Sequence, residues 1–117
     1  ITEAVVKSIT QSPNLKGIVL ETYGSGNAPT YPWFIKLLEA AIHNGIHIVN
    51  VTQCVGGSII LGHYETSVDL KRIGVIDGKD ITTESAIAKL MYLLGEQIPK
   101  KEFKKLFETP LRGELDF

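Results

Sequence analysis

Two short apolar runs, one helix length of chain apart and each followed by a loop of small and polar residues, constrain this sequence more than any other feature. Residues 17–23 lead into Gly24-Ser25-Gly26-Asn27, and residues 46–52 lead into Gln53-Cys54-Val55-Gly56-Gly57. Between them, Tyr31 to Asn44 carries Phe34, Leu37, Leu38, Ala41 and Ile42 at helical spacing. Strand, loop, helix, strand, loop is the βαβ unit of an open parallel sheet. Loops at the carboxyl ends of such strands share one edge, and that edge is where open α/β sheets bind ligands.

The remaining chain extends the same architecture. Residues 1–11 read as a helix with Ile1, Val5, Val6 and Ile9 at helical spacing, ended by Ser12-Pro13-Asn14. Residues 16–22 form the first strand, whose unbroken apolar core suits a parallel sheet covered on both faces. Thr30 or Tyr31 caps the next helix, Pro32 fits its first turn, and Asn44-Gly45 ends it. Residues 46–52 form the second strand, residues 66–73 a short helix closed by Gly74, and Val75-Ile76 a minimal third strand. Thr82 caps a helix over residues 84–94 with Ala86, Ile87, Leu90, Met91 and Leu94 on one face. A last helix follows Pro99, with Phe103, Leu106 and Phe107 inward. The predicted fold is a single three-layer α/β/α domain over residues 1–117, with a mainly parallel sheet of about four strands.

Bulk properties narrow the function classes. The net charge is −1, from 12 Lys and Arg against 13 Asp and Glu, which gives no general attraction to nucleic acid. Lys100, Lys101, Lys104 and Lys105 are interleaved with acids and read as a solvated helix face. One cysteine precludes an intrachain disulfide and agrees with a reducing, cytoplasmic setting. No apolar run approaches the length needed to span a bilayer, and no signal peptide opens the chain. The chain starts on helical sequence at Ile1 rather than on Met, as expected of a domain excised from a longer protein.

The individual motifs are weak. Pro29 stands where a dinucleotide fingerprint needs glycine, so Gly24, Ser25 and Gly26 serve equally as a tight strand-to-helix turn. Asn27 offers a donor and an acceptor to a polar ligand, or to its own backbone. Cys54 lacks a base assigned beside it and reads first as a small hydrophobe. His43, His47 and His63 show no metal-ligand spacing, and no cofactor is implied. Glu65 by itself is an ordinary helix-start carboxylate.

Their order is more specific than any one of them. Tyr23-Gly24-Ser25-Gly26-Asn27-Ala28-Pro29, Thr52-Gln53-Cys54, Gly62-His63-Tyr64-Glu65-Thr66, Gly74-Val75-Ile76, Asp80-Ile81-Thr82 and Leu111-Arg112-Gly113-Glu114-Leu115 follow one another along the whole chain. The set resembles the carboxy-terminal domain of cytoplasmic, type I L-asparaginases. The resemblance implies hydrolysis of L-asparagine to L-aspartate and ammonia by a threonine nucleophile with a Thr-Asp-Lys set, all on an amino-terminal domain absent from this chain. It implies that Asn27 and Glu65 reach the substrate in a paired subunit, within a homodimer or dimer of dimers. It also matches Thr52 and Cys54 to an allosteric asparagine site of some members. Those members have arginine where this chain has Glu21, so allosteric control is not expected here. The rival assignments are the equivalent domain of the D subunit of glutamyl-tRNA(Gln) amidotransferase and a stand-alone small-ligand module. The ligand in the favoured case is L-asparagine or L-aspartate, with neither nucleic acid nor membrane as partner.

Overall fold

A computed structural model describes residues 2–22, 31–52, 65–78 and 81–109. Helices and strands alternate through them until two helices close the order: α1 (Glu3–Thr10), β1 (Gly17–Thr22), α2 (Pro32–His43), β2 (His47–Thr52), α3 (Glu65–Ile73), β3 (Ile76–Asp77), α4 (Thr83–Gly95) and α5 (Lys100–Phe107). The sheet runs β1-β2-β3 and both pairings are parallel. The expected count of about four strands is therefore three among the described residues.

Local chemistry sets the helix ends. The Thr82 hydroxyl accepts a hydrogen bond from the Ser85 N–H at 3.1 Å, satisfying a donor that the first turn of α4 leaves open. The Thr2 hydroxyl does the same for Val5 at the start of α1. Tyr31 occupies the cap of α2 without a side-chain hydrogen bond, and Pro32 fills the first helical position. Gly45 at φ 93° lets the chain leave α2 and enter β2, a conformation that a Cβ would penalise.

Burial divides the molecule into two cores, one on each face of the sheet. Phe34, Leu38, Ala41, Ile48, Leu70 and Val75 belong to the core under α1, α2 and α3. Val49, Val51, Ala86, Leu90, Phe103 and Phe107 belong to the core under α4 and α5. Alternate residues of β2 thus feed opposite layers, and the three-layer α/β/α prediction is borne out.

Two helices sit differently from their predicted stripes. In α4 the buried residues are Ala86, Lys89, Leu90 and Leu93, while Ile87 and Met91 are 44% and 68% exposed. In α1 Val6 and Thr10 are buried, whereas Val5 and Ile9 face outward. The α4 stripe is rotated because Lys89 is claimed by α5. Its Nζ donates to the Thr109 carbonyl at 2.7 Å and lies 5.2 Å from the Phe107 ring centroid. An aliphatic stem over an aromatic ring with a paired head makes lysine an acceptable core residue. The lysine-rich side of α5 is mostly exposed, as read from the sequence.

The inner end of α5 is held by a ring stack. The imidazole of His47 lies 3.6 Å from the Phe103 ring, centroid to centroid, with the planes 12° apart. Burial, and then the nearby charge of Lys100, hold its pKa below the usual 6.5. The unfolded chain therefore takes up this proton more readily than the folded one. The stability gained from a neutral His47 is complete above about pH 6.5 and is lost as the pH falls through that value toward the lower folded pKa. Urea unfolding at pH 7.5 and 5.5 should show a larger drop in midpoint for the wild type than for His47→Gln. Equal drops would remove His47 from the pH response.

Candidate functional site

The carboxyl edge of the sheet differs chemically from the rest of it. In the β1–β2 register Ile18 stands beside Ile48, Leu20 beside Asn50 and Thr22 beside Thr52. In the β2–β3 register Asn50 stands beside Asp77. Ile18, Leu20, Ile48 and Val75 all pack with the α1–α2–α3 core. Thr22, Asn50 and Asp77 continue those strands on the same face by the two-residue alternation. One face of all three strands thus turns from hydrocarbon to polar at the end from which the loops depart.

Asn50 is the extreme case. It is fully buried, and neither its carboxamide nitrogen nor its oxygen has a hydrogen-bond partner among the described residues. Removing either atom from water without compensation costs about 1–3 kcal/mol. Thr22, also buried, donates a long 3.4 Å hydrogen bond from Oγ1 to the Val51 carbonyl. The backbone around Asn50 is by contrast well satisfied, since its carbonyl accepts from the Gly78 N–H at 2.8 Å. On the outer edge of β3 the Asp77 N–H donates to Glu108 Oε2 at 3.0 Å, so the end of α5 covers that strand edge.

Of the residues singled out from the sequence, Gly24, Ser25, Gly26, Asn27 and Cys54 lie outside the described residues. Thr52 is the last residue of β2, in register with Thr22, and Glu65 is the first residue of α3. The strands that lead into both loops are adjacent, parallel and end at the same level, so the shared edge expected from the βαβ pattern is present. Glu21 is exposed and stands beside Val51, whose side chain belongs to the α4–α5 core. It therefore lies on the opposite face from Asn50. Asn50 and Asp77 escaped sequence reasoning. The available signal was an asparagine inside an otherwise apolar strand, Ile48-Val49-Asn50-Val51.

Gly78 keeps this edge compact. A Cβ at that position would lie 2.6 Å from the Asn50 carbonyl oxygen and 2.9 Å from Val51 Cγ1. The first neighbour is backbone and can retreat only by moving β2. Gly78→Ala should destabilise the protein by about 1–3 kcal/mol, the range for overpacking a tight interior, measured as a fall in urea midpoint at unchanged slope. Wild-type stability would mean that the contact relaxes freely.

Comparison with known proteins bears on what this edge serves. Residues 1–107 match the family model described as the glutaminase/asparaginase C-terminal domain. L-asparaginase 1 of Escherichia coli K12 is 39% identical over 115 residues, covering 98% of this chain and 34% of that protein. The 60 kDa lysophospholipase of Mus musculus is 40% identical over 116 residues, covering 98% of this chain and 20% of that protein. The crystal structure of L-asparaginase I from Vibrio cholerae superposes with a TM-score of 0.91 at 38% identity, covering all of this chain and 35% of that one. A glutamyl-tRNA(Gln) amidotransferase of Methanopyrus kandleri also matches through its D subunit, at 37% identity over a shorter stretch of 101 residues that covers 86% of this chain and 22% of that protein. The chain spans at most about a third of the length of these relatives. Similar sequence over nearly the whole chain, a matching fold and a family model spanning residues 1–107 agree: this chain belongs to the glutaminase/asparaginase C-terminal domain family.

Proposed function

We propose that this chain is the carboxy-terminal domain of an L-asparaginase that hydrolyses L-asparagine to L-aspartate and ammonia, and that it supplies ligand-contacting residues rather than the nucleophile. The observation that carries this reading is the pair of adjacent parallel strands, β1 and β2, ending at one level, at Thr22 and Thr52, a few residues before Asn27 and Cys54 in the sequence. In the reaction the side-chain amide C–N bond breaks, ammonia leaves and water provides the new carboxylate oxygen. The threonine nucleophile and its Thr-Asp-Lys set belong to a separate amino-terminal domain, so Thr22, Thr52 and Thr82 take no part as nucleophiles.

Asn27 and Glu65 are the binding residues in this reading. A carboxylate complements the α-ammonium of the amino-acid substrate, and a carboxamide bonds the substrate or its neighbours. Glu65 opens α3, where the helix dipole favours a negative charge. Two copies of the full polypeptide pair so that each small domain completes its partner's site, in a homodimer or a dimer of dimers, in the cytoplasm. No described helix is long and apolar enough to cross a membrane. The second reading is the equivalent domain of an amidotransferase acting on glutamyl-tRNA(Gln), supported by the Methanopyrus kandleri match.

The isolated domain should release no ammonia from asparagine above a mock-purified control. In the full-length polypeptide, Asn27→Ala and Glu65→Ala should each lower kcat/KM by about one to two decades, corresponding to about 1.5–3 kcal/mol for a charge-assisted hydrogen bond, with melting unchanged. Turnover by the isolated domain, or wild-type kinetics in both variants, would overturn the division of labour.

Regulation follows from Glu21. A ligand α-carboxylate needs donors or positive charge, and a carboxylate side chain supplies the opposite. Initial rates of the full-length enzyme should rise hyperbolically with asparagine, with no second, weaker binding site. Sigmoidal rates that a bulky substitution at Cys54 abolishes would show that other groups hold the carboxylate.

A further inference from the structure

The turn that carries α2 into β2 joins a reactive pair of residues to an open backbone. Asn44 is followed by Gly45, and of the four asparagines in the chain only this one precedes glycine. Both residues are exposed, at the end of the sheet opposite to Thr22 and Thr52. No hydrogen bond engages the Asn44 carboxamide among the described residues. Gly45 stands at φ 93°, and a Cβ built there would meet no atom within 4 Å, so the turn has room around it. The Gly45 N–H donates to the Ile42 carbonyl at 3.0 Å, a bond in the last turn of a helix, where local opening costs least. The Asp77-Gly78 pair has the same spacing of atoms in a closed setting. Gly78 is buried, its N–H donates to the Asn50 carbonyl at 2.8 Å, and a Cβ there would lie 2.6 Å from that oxygen.

We propose that Asn44 is a site of spontaneous deamidation, and that its isoaspartyl product loosens the junction of α2 with β2. Hydroxide takes the proton of the Gly45 N–H once its bond to Ile42 opens. The nitrogen then attacks the Asn44 side-chain carbonyl carbon. A new C–N bond closes a five-membered imide, and the side-chain nitrogen leaves as ammonia with a proton from water. Glycine permits the step because no Cβ hinders rotation of the backbone into the ring. Water opens the imide at either carbonyl. Attack at the side-chain carbonyl returns the native backbone with an aspartyl side chain. Attack at the main-chain carbonyl leaves a free α-carboxylate and routes the backbone through the side chain, one carbon longer. Either product sets a carboxylate at the negative end of the α2 dipole, which is unfavourable. The longer route also displaces Ile46, which is buried and donates its N–H to the Ala41 carbonyl at 3.0 Å. The register of β2 with β1 begins one residue later, at His47. This chemistry needs only water and stands apart from the amidohydrolase reading.

The test ages the full-length polypeptide at 37 °C and at pH 6.0, 7.5 and 8.5, beside a synthetic peptide copying residues 40–48. Peptide mapping by mass spectrometry, with fragmentation to place each change, follows the asparagines of this domain. Asn44 should convert to a mixture of isoaspartyl and aspartyl forms, faster as the pH rises and more slowly than in the peptide. Over the same period Asn14 and Asn50, which precede Leu15 and Val51, should stay intact, and Asp77 should not isomerise. The aged wild type should lose several degrees of Tm. Asn44→Gln, whose longer side chain would have to close a six-membered ring, should keep its Tm through the same incubation. Fresh Asn44→Asp reads the new charge on a native backbone, and should melt between fresh and fully converted wild type. An intact Asn44 in the folded polypeptide after the peptide has fully converted would overturn the site. An equal fall in Tm on ageing Asn44→Gln would overturn the loosening of the junction.

Discussion

The parallel pairing of β1 with β2 is the constraint on which the rest of the molecule depends. Six consecutive residue pairs, from Gly17 with His47 to Thr22 with Thr52, fix the two strands in one register and bring their ends to one level. Parallel strands need a crossover, and α2 supplies it with Phe34, Leu38 and Ala41 turned to the sheet. A register slip of one residue would exchange Ile48 with Val49 between the two cores and carry Asn50 to the α4–α5 side. The double burial of β2 therefore holds both the fold and the location of the polar edge.

That edge changes in character along a single strand. Toward its start, β2 is hydrocarbon on the α2 face and contributes to the core. Toward its end, on the same face, it presents an amide that costs free energy where it lies. The same tension recurs at Lys89, a cation in the second core, where it is resolved by the Thr109 carbonyl and the Phe107 ring. Asn50 is the contrast, a buried amide with no hydrogen-bond partner among the described residues. Glu108 adds a further device, placing a carboxylate on the outward N–H of β3 and so joining the end of α5 to the sheet edge.

The helix and strand order was legible in the chain because hydrophobic period, Pro32, Gly45, Gly74 and the Thr82 cap all act within a few residues of themselves. The strand count was less so, with three strands among the described residues against about four expected. The faces of α1 and α4 were misread for a shared reason. Ile87 and Met91 have the right spacing for a buried stripe, but burial depends on what lies opposite, and α5 with Phe107 and Thr109 selects Lys89 instead. Val5 and Ile9 likewise form an apolar pair on α1 that the described chain leaves outside.

By itself, the sequence determined the βαβ core, the shared end of the two strands and the family to which the ordered motifs point, since each of these depends on local pattern and on spacing along the chain. Only the tertiary structure decided that Asn50, Thr22 and Asp77 share one sheet face, that Glu21 lies on the other, and that His47 stacks on Phe103 from a distant part of the chain. Register and facing are relations between distant segments. They arise when the sheet and its two helix layers close together, and no single stretch of chain encodes them alone.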